Sequence, residues 1–409
     1  MRLSRFIWAL PVLLSLVFSC RETDFTPDSG SAEPYTPPTR GEVQETRKVM
    51  IMYSAGFNSI SYALSQDLRE MASDGFVPED KTRADHILLV LSRQTTEGYS
   101  VPEAPVLYRL YKDAEGTVVQ DTLLRFQPTD QASDPEVLRR VMNYARDHYP
   151  ADGYGLVVSS HACGWLPSKN SSSAKSVKSI TQDADTGNIH EMELKDFVSA
   201  LPYKLDYVML DACFMGCVEV AWALKGKAKW VAFSPTEIMS DGFNYKKLAE
   251  RLLQREPDVM GVCEDYFAQY TDPSQSTPYA TITLVDTENL QPLADICKTL
   301  FAKYREQLKT LPTTVVQRYY RDMTEHRYDY FFDLRHMLEC AGMTAEEAAA
   351  FDEALDGCIE YSAHTSRFMS LHLLHVCGLS VYMPSSGNAT MDAYYKETVE
   401  WNNATELIL

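Results

Sequence analysis

The sequence predicts an α/β fold with a mainly parallel central sheet and helices on both faces. Three observations carry this. Short continuous apolar runs, such as Val49-Met50-Ile51-Met52-Tyr53 and Tyr207-Val208-Met209-Leu210, read as strands buried on both sides. Segments with helical spacing of apolar residues alternate with them. Within residues 47–409 there is no linker-like composition shift and no internal repeat, so these residues are expected to form one domain.

The chain opens with Arg2 and Arg5, then a short apolar stretch from Phe6 to Phe18. This is the pattern of an export signal over residues 1–19, too short for a spanning helix. Leu16-Val17-Phe18-Ser19-Cys20 resembles a bacterial lipobox. That implies cleavage before Cys20, lipidation of its thiol, and attachment to the outer membrane or cell surface. Residues 20–46 contain Pro27, Pro34, Pro37 and Pro38 and few aliphatic side chains, the composition of a disordered tether.

The fold begins near Arg47. Residues 49–53 read as a strand, followed by a helical pattern through Leu64, Leu68 and Met71. Residues 86–91 form a second strand, and 106–111 with 118–124 a hairpin about Asp113-Ala114-Glu115-Gly116. Ser133 or Asp134 caps a helix with Pro135 near its first position, running to about His148. Residues 154–160 are a buried strand, and 167–181 a polar loop rich in Ser and Lys. A helix is expected at 191–201, strands at 206–212, 230–234 and 280–285, and helices at 243–254, 257–270 and 287–309. Residues 286–375 read as mostly helical. A late strand at 378–384 is expected to tie that block back to the sheet.

Composition limits function. The formal charge is −19, from 38 basic and 57 acidic side chains, which argues against a nucleic-acid partner. Beyond Cys20 the cysteines stand at 163, 213, 217, 263, 297, 340, 358 and 377, without CxxC spacing, so no zinc cluster is expected.

Two strand ends carry chemistry. His161 follows the strand at 154–160 and Cys213 the strand at 206–212. If those strands are parallel neighbours, both side chains emerge at the carboxyl edge of the sheet, where open α/β folds bind ligands. A histidine there can take the thiol proton, and the thiolate is the nucleophile. A buried structural thiol remains the alternative for Cys213 taken alone.

The stretch Asp211-Ala212-Cys213-Phe214-Met215-Gly216-Cys217-Val218-Glu219 resembles the D-x-C-x-M-x-x-x-E signature of the clostripain family of cysteine peptidases, in the clan that also holds caspases, legumain and gingipain. Ala55-Gly56-Phe57-Asn58 resembles the family's A-G-x-N turn, and His161-Ala162-Cys163-Gly164-Trp165 its H-G-x-G-W. Phe332-Asp333-Leu334 and residues 378–384 resemble later landmarks.

The resemblance implies a caspase-like three-layer sandwich and a cysteine endopeptidase acting on protein or peptide substrates with basic residues. It implies Cys213 as nucleophile, His161 as general acid/base, and an oxyanion hole from the N–H groups of Cys213 and Ala162. It places Asp211 in the pocket for an Arg or Lys side chain, with Asp241 and Glu237 at its rim and Glu219 as a structural anchor. Family members that are zymogens are cut between the catalytic His and Cys, and Lys169, Lys175 and Lys178 lie there, with Lys175 favoured. No organic cofactor is implied. Calcium assists some relatives, which draws attention to Asp183 and Asp185, though no calcium-loop pattern surrounds them. Ala162 departs from the family's glycine; a left-handed backbone there would be strained. That departure supports a second reading, a catalytically silent lipoprotein binding peptides or glycans in the same cleft.

Overall fold

The structure is a computed structural model that describes residues 47–80, 86–94, 103–168, 180–185, 188–321 and 330–409. The strands in chain order are β1 (Lys48–Ala55), β2 (His86–Arg93), β3 (Val106–Lys112), β4 (Val118–Arg125), β5 (Gly153–Ser159), β6 (Gln182–Asp185), β7 (Asn188–Glu191), β8 (Leu205–Asp211), β9 (Ala228–Phe233) and β10 (Thr281–Asp286). β11 (Phe332–Asp333), β12 (Ile359–His364), β13 (Arg367–Phe368), β14 (Leu371–His372) and β15 (Ser380–Val381) follow. The helices are α1 (Ser61–Ser73), α2 (Pro135–His148), α3 (Leu194–Ala200), α4 (Val218–Ala223), α5 (Tyr245–Leu252), α6 (Val259–Thr271), α7 (Leu290–Lys303), α8 (Arg305–Thr310), α9 (Leu334–Cys340), α10 (Ala345–Asp356), α11 (Ala389–Thr398) and α12 (Glu400–Thr405).

Nine strands form one sheet in the order β12-β10-β9-β8-β5-β1-β2-β3-β4. β9, β8, β5, β1 and β2 are mutually parallel; β3, β4, β10 and β12 add antiparallel edges. The continuous apolar runs are explained by what covers them. Val49, Ile51 and Tyr53 of β1 join one core with residues of α2, α3, α4, α7, α10 and α12. Met50 and Met52 join the other with α1, α5 and α6. Successive side chains face opposite sides of a strand, so both faces demand apolar residues. Asp134 caps α2 by accepting the Glu136 N–H, with Pro135 in the first helical position, as expected.

The C-terminal block departs from the sequence reading. Residues 359–364 are not helical: β12 pairs antiparallel with β10 and closes the sheet's edge. Its residues alternate between partly buried and exposed, as at a half-covered edge. The strand expected at 378–384 is only two residues long and pairs with β11, outside the central sheet. It ties the block to the loop after β8, because the Ser380 N–H donates to the Gly216 carbonyl at 2.9 Å. The helix expected at 191–201 is the shorter α3, and the β6–β7 hairpin, which ends at Glu191, precedes it. Among the described residues no helix is long and apolar enough to cross a membrane.

Candidate active site

His161 and Cys213 leave the sheet side by side. β5 and β8 pair in parallel with Ser159 opposite Asp211, so each residue stands two positions beyond its strand at the same edge. The Ser160 N–H still reaches the Asp211 carbonyl at 3.4 Å. Both side chains are half-buried. This is the placement that a thiol–imidazole pair requires.

A residue absent from the sequence reading steadies the imidazole. Ser59 Oγ lies 2.8 Å from His161 Nε2. Ser59 follows the Ala55–Asn58 turn, which Asn58 fixes by donating from Nδ2 to the carbonyls of Ala55 and Gln182. A lone exposed serine beside a turn gives no sequence signal of this role.

Cys213 is followed by Phe214 at φ +60, a conformation that costs a bulky L-residue about 1–2 kcal/mol. Its N–H donates to the Thr236 carbonyl at 2.9 Å, and its ring stacks on Phe331 with centroids 5.2 Å apart, which offsets that strain. Cys213 Sγ lies 4.0 Å from the Ile238 carbonyl oxygen.

The expected strain at Ala162 is absent: this residue is not among those with positive φ. The glycine requirement sits two residues on. Gly164 has φ +60, and a Cβ there would lie 2.7 Å from the Phe331 ring and 2.9 Å from the Phe214 carbonyl oxygen. Cys163 is fully buried.

Asp211 is 6% exposed. It accepts from the Tyr245 hydroxyl at 2.5 Å and from the Phe243 N–H at 3.4 Å. Gly242, at φ +54, passes so close that a Cβ would lie 2.2 Å from Asp211 Oδ2. No Lys or Arg among the described residues pairs with Asp211. Burial pushes its carboxyl up to about 6, and the two hydrogen bonds oppose a larger rise. Asp241 lies on the loop after β9, exposed, within 3.4 Å of the Ser240 hydroxyl.

Glu237 does not present a free carboxylate to the pocket. Both its oxygens are held by Arg321, at 2.5 Å to Nε and 2.7 Å to Nη2. The Glu237 hydrogen bonds raise the pKa of Arg321, and a Cys213 thiolate adds to this through space, so the ion pair and Cys213 act on each other. Glu219 is an anchor, as expected: buried on α4, it accepts from the Tyr382 N–H and the Tyr395 hydroxyl, each at 2.8 Å. Burial pushes it up to about 7.

Asp183, considered for calcium, is already engaged. It pairs with Arg93 at 2.9 Å and accepts from the Ser133 N–H and hydroxyl at 2.6 and 2.8 Å. The side chain of Asp185 lies outside the described residues, as do Cys20, Lys169, Lys175 and Lys178. Among the described residues His336, Glu339 and His375 bring metal-ligand atoms within 4.8 Å of one another. However, the Gln317 N–H donates to His336 Nδ1 at 2.8 Å. The neutral ring then carries its proton on Nε2, the atom a metal would need.

The clostripain family profile matches residues 52–407. Clostripain from Hathewaya histolytica is 27% identical over 129 residues, which cover 29% of this chain; the chain spans about a quarter (24%) of that protein's length. An inactive zymogen C11 protease from Parabacteroides distasonis superposes with a TM-score of 0.73 at 27% identity, over 88% of this chain and 98% of its own. A secreted C11 cysteine protease from Bacteroides thetaiotaomicron, in complex with an irreversible peptide inhibitor, gives 0.72 at 26% identity, over 88% and 99%. With the His161–Cys213 edge in place on a nine-stranded, mostly parallel sheet, these likenesses have one reading: the chain belongs to the clostripain family of cysteine peptidases and has their caspase-like fold.

Proposed function

We propose that the protein is an exported, lipid-anchored cysteine endopeptidase that cleaves after Arg or Lys. The observation that carries this reading is the β5–β8 register, which sets His161 and Cys213 at one edge, with the carboxylate of Asp211, buried and without a cation partner among the described residues, at the root of the Cys213 loop. A buried carboxylate without a cation is a fitting partner for a guanidinium or ammonium group.

In the mechanism, His161, steadied through Nε2 by Ser59, takes the Cys213 proton. The thiolate sulfur bonds to the carbonyl carbon of the substrate. The carbonyl oxygen becomes an oxyanion facing the N–H groups of Ala162 and Cys213. The C–N bond breaks, and the departing amine receives the proton from His161. Water, deprotonated by His161, then attacks the acyl-enzyme and restores the thiolate.

Activation follows the same specificity. Self-cleavage after Lys175 is proposed, consistent with the zymogen state of the Parabacteroides relative. Lipidation at Cys20 would hold the enzyme at the outer membrane or cell surface. The silent alternative loses its main support, because Ala162 is not in a left-handed conformation.

Intact mass measured before and after incubation tests the processing step. Wild type is expected to yield a fragment ending at Lys175 and Cys213→Ala none. Cleavage at another position, or in the variant, contradicts the assignment.

A further inference from the structure

Asp67 breaks the pattern of its helix. The inward face of α1 carries Leu64, Leu68 and Met71, and Asp67 falls within that apolar stripe. It is 6% exposed, and its Oδ2 has no hydrogen-bond partner among the described residues. Burying a carboxyl group without a donor or a cation costs stability, so such a group calls for an explanation.

The groups around Asp67 do not neutralise it. Asp211 at the end of β8, Glu70 on its own helix and Asp241 on the loop after β9 all act on it through space, and each disfavours its charge. α5 brings Tyr245, whose hydroxyl donates to Asp211. The lysines of α5 are engaged elsewhere: Lys246 with Asp74 at 3.5 Å and Lys247 with Asp265 at 2.8 Å. Tyr270 of α6 donates its hydroxyl to the Gly242 carbonyl. The carboxyl groups of Asp211 and Asp241, from two other elements, thus act on buried Asp67 through space, and none of the three has a Lys or Arg ion pair among the described residues.

We propose that Asp67 is a specificity-determining residue of the peptidase, a carboxylate that together with Asp211 receives the cationic head of the substrate side chain. This rests on the reading of Asp211 given under Proposed function and extends it to a residue outside the D-x-C stretch. With two buried carboxyl groups, the pocket distinguishes a charged head from a neutral one of the same shape more sharply than Asp211 could alone.

The arrangement couples recognition to a proton. Burial, and then the charges of Asp211, Glu70 and Asp241, push Asp67 up to about 9, so it holds its proton at neutral pH. An entering guanidinium favours the ionised form, and the proton leaves to solvent. Binding of the cation therefore strengthens as pH rises toward 9. Asp211, up to about 6, is already ionised across that interval.

The test compares peptide substrates that differ only in Arg or citrulline before the scissile bond. Citrulline has nearly the shape of Arg without its charge. The ratio of their kcat/KM values cancels the ionisations of Cys213 and His161, which both substrates share. For wild type the Arg/citrulline ratio is expected to rise by about tenfold or more between pH 7 and pH 9. In Asp67→Asn, which keeps the shape of the side chain, the ratio should be flat over that interval and lower by roughly tenfold at pH 9. A variant with the wild-type ratio and the wild-type rise overturns the proposal. So does a variant that loses both substrates equally and melts at lower temperature, since Asp67 then only supports the fold. A wild type that fails to prefer Arg over citrulline, or turns over neither, refutes the underlying reading of the pocket instead, and the inference falls with it.

Discussion

Ser59 Oγ stands 2.8 Å from His161 Nε2, joining the loop after β1 to the loop after β5 at the edge where Cys213 emerges. Ser59→Ala removes one hydrogen bond to the imidazole, worth about 1 kcal/mol. The expected outcome is a fall of roughly fivefold in kcat with little change in KM or melting temperature. Steady-state kinetics with a Lys peptide check it, and an unchanged kcat would separate Ser59 from the chemistry.

Gly242 approaches Asp211 too closely to tolerate a side chain. In Gly242→Ala the new methyl group, in a left-handed conformation, must push the Asp211 carboxylate away. The variant should lose discrimination between Arg and citrulline peptides by about tenfold or more while retaining the fold, as judged by circular dichroism.

The Arg321–Glu237 ion pair acts through space on Cys213. Arg321→Gln leaves the Glu237 carboxylate without its cation near Cys213. An uncompensated negative charge disfavours the thiolate. The acid limb of the pH profile of kcat/KM should therefore move to higher pH by roughly half a unit or more. A shift in the opposite direction would contradict this placement of the pair.

Glu219 links pH to stability. Its folded-state carboxyl is up to about 7, above its ordinary value, because burial disfavours the charge. The folded state therefore holds the proton more tightly than the unfolded chain. The stability it contributes is present below the ordinary carboxylate range and is lost as pH rises through about 7. The loss is on the order of 3 kcal/mol. Glu219→Gln keeps an oxygen for Tyr382 and Tyr395 but cannot ionise. Urea unfolding at pH 5 and pH 8 should show a larger fall for wild type than for the variant.

The central strands and the cysteine edge were legible because burial on both faces of a parallel sheet forces continuous apolar runs. Other features depend on tertiary contacts. β12 was hidden because an edge strand alternates, and Ile359-Glu360-Tyr361-Ser362-Ala363-His364 resembles a weak helix as much as a strand. Ser59 and Arg321 gain their roles from residues 102 and 84 positions away, a distance that no local pattern can reveal. Asp67 did leave a signal, an acid within an apolar stripe at helical spacing from Leu64 and Met71. At Ala162 local reasoning expected strain, whereas the left-handed glycine of the motif is Gly164.

Covalent labelling by a tagged acyloxymethyl ketone peptide ending in Lys tests the central claim, that Cys213 is the nucleophile of a site selective for basic side chains. Wild type should be labelled and Cys213→Ala not, and excess untagged Lys peptide should protect wild type where its norleucine counterpart does not. Labelling that persists in Cys213→Ala, or a wild type that stays unlabelled after trypsin nicking of the 166–180 segment, would contradict it.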